Sequence, residues 1–292
     1  MKSLLILTTS FLITFSVQAA SKLGAILQGI DGVFTDQETI VVKAKLESSR
    51  VIPYRMDIPG EIVQFHLNGK KLGDALTDGD GVAELEIPAK EVGQYLVVAS
   101  LPGESDYQSN EAEVVTLVLS RSTPIAISDI DHTISDASPW EVLVKPNSKL
   151  KPLQNAASSI KYFSNKFQIV YLTARDDAFI NKTKEWLAMY DFVKAPSLFW
   201  DFANGDVPSD HGDFKSWIIE KMKEKFDNIL IGFGDKPHDI RAYRDHGLRS
   251  YYIGKQGEVI HPDGIKVPSW DKIIEHFNAN PIGSLSTDPQ VL

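Results

Sequence analysis

The stretch "IAISDIDHTISD", Ile125 to Asp136, sets two carboxylates, Asp129 and Asp131, two positions apart after an apolar run, with Thr133 two residues further on. The run reads as a strand, so both acids fall at its carboxyl end. In open α/β sheets that end is where ligands bind.

Downstream, apolar strands are expected at 125–130, 168–172, 229–233 and 251–253, alternating with helical stretches near 153–163, 178–190, 214–226 and 240–246. This alternation predicts a parallel sheet with helices on both faces, an α/β domain over 124–280 followed by a tail at 281–292. The polar residues collect after the strands: "TAR", Thr173 to Arg175, after the second, and "GDKPHD", Gly234 to Asp239, after a later one, while Lys215 opens the helix between them. Taken alone, spaced aspartates are a cap or a turn and a single lysine a solvated helix residue. Their shared position and order point to one site.

Upstream, over 21–120, the period is different. Short alternating runs such as "TIVVKAKLE", "EIVQFHLNGKKLG" and "GQYLVVASLPG" are separated by turn signals, and Asn68-Gly69 marks a hairpin because both residues tolerate positive φ. About seven such strands suggest a β-sandwich. Asp78 and Asp80 in "TDGDGVA" offer oxygen ligands, but the spaced donors and closing glutamate of a calcium loop are missing, so they read as an ordinary turn. "SRSTP", Ser120 to Pro124, is the expected linker, and with every motif beyond it the second region is expected to fold and act without the first.

Composition narrows the partners. With 292 residues, 43% of them hydrophobic, the chain can bury two cores, and its formal charge of −9 argues against nucleic acid or an anionic membrane held by bulk electrostatics. There is no cysteine, which removes disulfides, thiolate metal sites and a cysteine nucleophile. The histidines lack zinc-ligand spacing, and no GxSxG, Walker A or GxGxxG motif occurs. Residues 1–20, with Lys2, an apolar stretch and small residues before Ala20, read as a cleaved secretory signal, too short for a spanning anchor; a bacterial periplasm is the expected destination.

The order DxDxT, threonine, lysine and acidic cluster resembles the haloacid dehalogenase-like phosphatase superfamily. "SDIDHTIS", "VYLTARDDAFINKTKEWL", "DFKSW" and "GFGDKPHDIRAYRDHG" are most similar to its lipin-like branch, which includes magnesium-dependent phosphatidate phosphatases and related lipid-transfer regulators that have lost catalysis. The words around "FHLNGKKLGDALTDGDGVAELEIP" resemble bacterial immunoglobulin-like repeats, which imply a fold and no chemistry.

The lipin-like resemblance implies an aspartyl-phosphate formed on Asp129 and acid/base work by Asp131. It implies Mg2+ held by Asp129, the Asp131 backbone carbonyl and Asp235, with Asp239 as a further or outer ligand. Thr173 and Lys215 would clamp phosphoryl oxygens, and Thr133 and Arg175 would contact substrate. His132 replaces a small residue common in the branch, and Asp235-Lys236 stands where "NR" is common. The histidine would either narrow the entrance or point to solvent.

Only about forty residues separate Asp131 from Thr173, too few for a large cap domain. An uncapped site admits a bulky or membrane-held phosphate, so a phosphorylated lipid is the expected substrate, with soluble phosphomonoesters as the alternative. The segment 197–208, "SLFWDFANGDVP", is either a buried strand and loop or an apolar approach through Trp200 and Phe202. Two readings from other classes stay open: a catalytically silent lipid- or protein-binding module, and adhesion through the sandwich. The sequence names no partner for the sandwich.

Overall fold

Alternating burial along the first strands builds two sheets over one core. The computed structural model describes residues 21–50, 55–201, 207–255 and 257–282. The expected signal at 1–20, Phe202 and the tail from 283 onward lie outside the described residues.

The first region contains β1 (Leu23–Ile30), β2 (Gly32–Thr35), β3 (Ile40–Ser48), β4 (Ile62–Leu67), β5 (Lys70–Leu76), β6 (Val82–Ile87), β7 (Gly93–Ser100), β8 (Tyr107–Gln108) and β9 (Ala112–Leu119). One sheet runs β6-β3-β1-β8 and the other β2-β9-β7-β4-β5. Leu27, Val42 and Leu46 from the first pack with Phe65, Val97 and Val114 from the second in a single apolar cluster. The β4–β5 hairpin closes at Asn68-Gly69, with φ of 51° and 75°, the left-handed pair that a two-residue turn between twisted strands requires. At the "TDGDG" turn, Asp78 Oδ1 accepts from the Asp80 and Val82 backbone amides at 2.9 Å each, so its side chain serves the turn itself.

The second region contains β10 (Ile125–Ser128), α1 (Pro139–Val144), α2 (Ala156–Ser164), β11 (Gln168–Asp176), α3 (Ile180–Met189), β12 (Ser197–Trp200), α4 (His211–Lys225), β13 (Ile229–Gly234), α5 (Pro237–Asp245), β14 (Arg249–Tyr252), β15 (Ile265–Lys266) and α6 (Trp270–Ala279). Its sheet, ordered β12-β11-β10-β13-β14-β15, is parallel at every pairing, which makes this an α/β domain. Ala126 faces the side filled by Phe163, Trp186 and Phe277. Ile125 and Ile127 face the opposite side, filled by Phe214, Ile219 and Tyr243. From β10 the chain winds first toward β11 and β12, then returns to β13 on the other flank. A crevice opens at the carboxyl end of β10, where this reversal occurs.

The strand β10 stops at Ser128, two residues short of the expected end. The Ile130 carbonyl accepts from the amides of Ile134 and Ser135 at 3.0 and 2.9 Å, turning the chain at once after Asp129. Between β10 and β11 stand only α1, a short 3-10 turn at Asn147–Lys149 and α2. The segment at 197–200 is a sheet-edge strand with Trp200 8% exposed, so the apolar approach expected from Trp200 is not formed: its ring stacks edge-on against His211 and packs near Phe214.

The two regions pack closely. Leu117 and Leu119 of β9 belong to the apolar cluster beneath α4 and α5. Asp31, whose side chain is fully buried, accepts from Lys184 Nζ at 2.6 Å and from the Val115 and Ser197 amides at 2.7 and 3.0 Å.

Candidate active site

Each acid reaches the crevice through a local device. Asp129 follows the last residue of β10, and its amide donates to the Phe233 carbonyl of the neighbouring strand at 3.0 Å, which fixes the backbone there. Thr133 Oγ1 donates to Asp129 Oδ2 at 3.1 Å from within the loop. The Thr133 carbonyl in turn accepts from Trp270 Nε1 of α6 at 2.9 Å, pinning that loop from behind.

On the adjoining strand end, Asp235 follows β13 and Asp239 occupies the first turn of α5, where the positive end of the helix favours a carboxylate. Two glycines permit this crowding. A Cβ at Gly234 would lie 2.6 Å from the Asp239 Cβ, and one at Gly254 would lie 2.1 Å from the Asp235 carbonyl oxygen. Any larger residue at either position would push the acid-bearing backbone away.

The helix α4 supplies the central cation. Asp210 caps it by accepting from the Gly212 and Asp213 amides at 2.8 and 3.1 Å, which places Lys215 in the second turn, aimed at the sheet. Lys215 Nζ lies 2.7 Å from Asp129 Oδ1 and 2.7 Å from Asp239 Oδ1, and all three residues are buried. Lys236, half exposed at the rim, donates to Asp235 Oδ2 at 2.6 Å.

The charges are strongly perturbed. Burial pushes the Asp129 carboxyl up to about 7; Lys215 opposes the shift, while Asp239, Asp235 and Asp131 reinforce it. Burial likewise raises Asp235. For Lys215, burial acts to lower the pKa, but the Asp129 and Asp239 carboxylates outweigh it and hold the amine well above its ordinary value. Buried acids pushed this way in a cleft mark a site built for charge chemistry.

Asp129, Asp235 and Asp239 can bring one carboxylate oxygen each within 4.8 Å of one another. An all-oxygen set of three buried acids, countered by one buried lysine, suits a hard divalent cation such as Mg2+. The acids carry more negative charge than Lys215 alone can neutralise.

Asp131 stands apart from this trio. Arg175 Nε donates to its Oδ2 at 2.9 Å and Arg175 Nη2 to its Oδ1 at 2.7 Å, while Nη1 donates to Thr183 Oγ1 at 3.0 Å. The guanidinium expected on substrate is thus engaged with the expected acid. Thr173 is fully buried, and its hydroxyl accepts from the Arg175 amide at 3.2 Å. Neither Thr133 nor Thr173 lines the cleft, a cavity of about 380 Å³ whose walls include Asp129, Asp131, Lys215, Asp235 and Asp239.

Sequence reading missed several wall residues. His211 and His238 line the cleft, as do Pro139 and Val142 of α1 and Phe179 beyond β11. Nothing in their local pattern sets them apart. His132 also lines it, with a φ of 54°. Its backbone is in the left-handed region, which few residues other than glycine, asparagine, aspartate and histidine adopt. A larger cleft, about 870 Å³, lies between α3 and the first region, but it contains none of the clustered acids.

Residues 126–254 match the family model described as PITM 1-3, LNS2 domain, a span that holds all eight candidate site residues. No curated protein matches the chain. Among solved structures, a D,D-heptose 1.7-bisphosphate phosphatase from B. bronchiseptica, complexed with magnesium and phosphate, is 14% identical; the match covers 54% of this chain and 99% of that one, with a TM-score of 0.44. A haloacid dehalogenase-like family hydrolase from Streptococcus pneumoniae is 11% identical over 53% of this chain and 98% of its own, with a TM-score of 0.39. The CARDB domain of a Pyrococcus furiosus protein is 15% identical over 34% of this chain and 94% of its own, with a TM-score of 0.24.

Proposed function

We propose that the chain is an exported, magnesium-dependent phosphomonoesterase acting through an aspartyl-phosphate on Asp129, with phosphatidate or a related lipid phosphate as its substrate. The observation that carries this reading is the buried Lys215, whose amine bridges Asp129 and Asp239 at 2.7 Å each beside Asp235. A structural ion pair needs one acid. Three acids around one lysine, open to a cleft, form a pocket for a cation and a phosphoryl group together.

Held by Asp129, Asp235 and Asp239, Mg2+ would neutralise the charge of an incoming phosphate monoester. Asp129 would attack phosphorus through a carboxylate oxygen while the bond to the leaving alcohol oxygen breaks, and Asp131 would give that oxygen its proton. Asp131 would then take a proton from the water that cleaves the aspartyl-phosphate, restoring both acids. Lys215 would stabilise the phosphoryl oxygens as charge builds on them. Each Asp131 oxygen takes one hydrogen bond from Arg175 and keeps a second lone pair, through which it would serve both steps with the fork in place.

The lipid assignment draws support from α1. Pro139 and Val142 of this helix line the cleft, while Trp140, Leu143 and Val144 are 68%, 38% and 53% exposed. These side chains could meet acyl chains or a bilayer surface at the mouth of an uncapped site. We read the two-sheet region as immunoglobulin-like and residues 1–20 as the export signal. Among the described residues, no helix is long and apolar enough to cross a membrane.

A second reading, a silent phosphate-binding module, is favoured by one observation: Arg175 occupies both oxygens of Asp131. A phosphate-release panel with Mg2+ separates the two. The panel comprises dispersed phosphatidate, nucleoside monophosphates, sugar phosphates, phosphopeptides and an aryl phosphate. Turnover that is highest on phosphatidate and lost in Asp129→Asn supports the first reading; higher efficiency on a soluble class removes the lipid; binding without turnover on any of them selects the silent module.

A further inference from the structure

Resting on the phosphatase reading, we infer that the first region is part of the catalytic apparatus: Lys45 and Arg55 are positioning residues that hold the 176–179 turn and, through it, the Arg175 side chain that orients Asp131. This reverses the expectation that the second region acts alone.

The contacts are specific and polar. Lys45 on β3, its side chain only 5% exposed, places Nζ 2.8 Å from Asp177 Oδ2 and 3.7 Å from Asp57 Oδ1. Arg55 donates from Nη1 to the Ala178 carbonyl at 2.9 Å and lies 3.4 Å from Glu47 Oε2. One turn on, Asn181 Nδ2 donates to the Leu27 carbonyl of β1 at 2.9 Å. The first region therefore grips the 3-10 turn Asp177–Phe179 at two points and the first turn of α3 at a third, across 123 to 154 residues of chain.

The same turn sits directly against the site. Arg175 and Asp176 precede it, and Arg175, Asp176 and Phe179 all line the cleft. Thr183, which accepts from Arg175 Nη1, lies in α3, the helix that the turn leads into. The turn and α3 thus fix both ends of the guanidinium's setting, and the guanidinium fixes Asp131.

The pairing also suits its surroundings. Asp177 is mostly buried, and burial pushes its carboxyl up to about 6 despite the pull of Lys45. Without Lys45 the carboxyl loses the amine that ties it to the first region. A region that merely adhered to a partner would have no use for a buried amine spent on the catalytic domain's loop.

The test compares Lys45→Met, Arg55→Ala and Asp177→Asn with Lys45→Arg and with Lys194→Ala. Lys194 makes an exposed pair with Glu113 elsewhere on the same interface. Kinetics on an aryl phosphate with Mg2+ and hydrogen exchange over 173–183 are read in the full chain, with circular dichroism checking the fold. The first three variants should lose about tenfold or more in kcat with KM changed less than about threefold, the size of effect expected when an outer-shell orienting group is lost. Exchange at 175–183 should rise with it. Lys45→Arg should recover most of the activity, and Lys194→Ala should match wild type. Folded variants with wild-type kcat and wild-type exchange overturn the inference. If Lys45→Met does not fold, Asp177→Asn, which removes the same charge pair without adding an apolar group, carries the decision. Should the wild-type chain release phosphate from no substrate, the phosphatase reading fails by itself; exchange at 175–183 then decides whether the first region orders this turn.

Discussion

Arg175 grips Asp131 with two parallel hydrogen bonds, Nε to Oδ2 at 2.9 Å and Nη2 to Oδ1 at 2.7 Å, across 44 residues of sequence. The fork fixes the plane of the carboxyl group proposed as the acid and base, a role that depends on its direction. A point charge could neutralise Asp131 but could not set its orientation.

Arg175→Lys should therefore lower kcat on an aryl phosphate about tenfold or more, while Mg2+ affinity measured by calorimetry stays near wild type, because Asp131's side chain lies outside the acid trio. A variant with unchanged kcat would show that the fork has no part in turnover.

Stability should depend on pH through Asp129. Its carboxyl is raised from 3.8 to about 7, so between these values the folded chain keeps a proton that the unfolded chain releases. Protons bound in excess by the folded state mean that stability falls as pH rises through that window. In magnesium-free protein, Tm should decline from about pH 4 to about pH 7, and less steeply in Asp129→Asn. Added Mg2+ needs the ionised acids, so it should raise Tm more at pH 8 than at pH 5. Scanning calorimetry across that range checks both slopes, and a magnesium effect independent of pH would count against the assigned ligands.

Trp140 is 68% exposed on a helix whose Pro139 and Val142 line the cleft. Trp140→Ala should reduce turnover of phosphatidate in vesicles several-fold and leave an aryl phosphate unaffected. Equal effects on both substrates would place Trp140 in the folding of α1 and not at a lipid surface.

Asp31 has no exposed side-chain surface and takes three hydrogen bonds, one from Lys184 and two from backbone amides. Asp31→Ala leaves a lysine and two amides without their partner, at a cost of about 3 kcal/mol. Urea denaturation should show the lower midpoint. A change below about 1 kcal/mol would mean that solvent replaces the acid and the interface is loose.

Much of this protein was legible in its sequence, for physical reasons that are local. The apolar run 125–128 followed by acids, the helix and strand alternation after 124, and the Asn68-Gly69 turn depend on residues within a few positions of each other. Side-chain periodicity and backbone φ preferences suffice to read them. That Asp129, Asp235 and Asp239 gather at one edge was likewise expected, because the ends of parallel strands converge there whatever the loops between them do; the ligand set itself, with the Asp131 carbonyl in it, came from the lipin-like resemblance. What the sequence could not determine was which charges pair. Arg175 turns to Asp131 across 44 residues, Lys45 to Asp177 across 132, and Lys184 to Asp31 across 153. Each side chain has several oppositely charged candidates, and only the strand order and the packing of one region on the other bring one of them within 3 Å in a buried place. Likewise, Trp200 went into the sheet edge and Trp140 to the surface because burial is decided by what the finished fold lays over each position, and neither residue's neighbours in sequence carry that information.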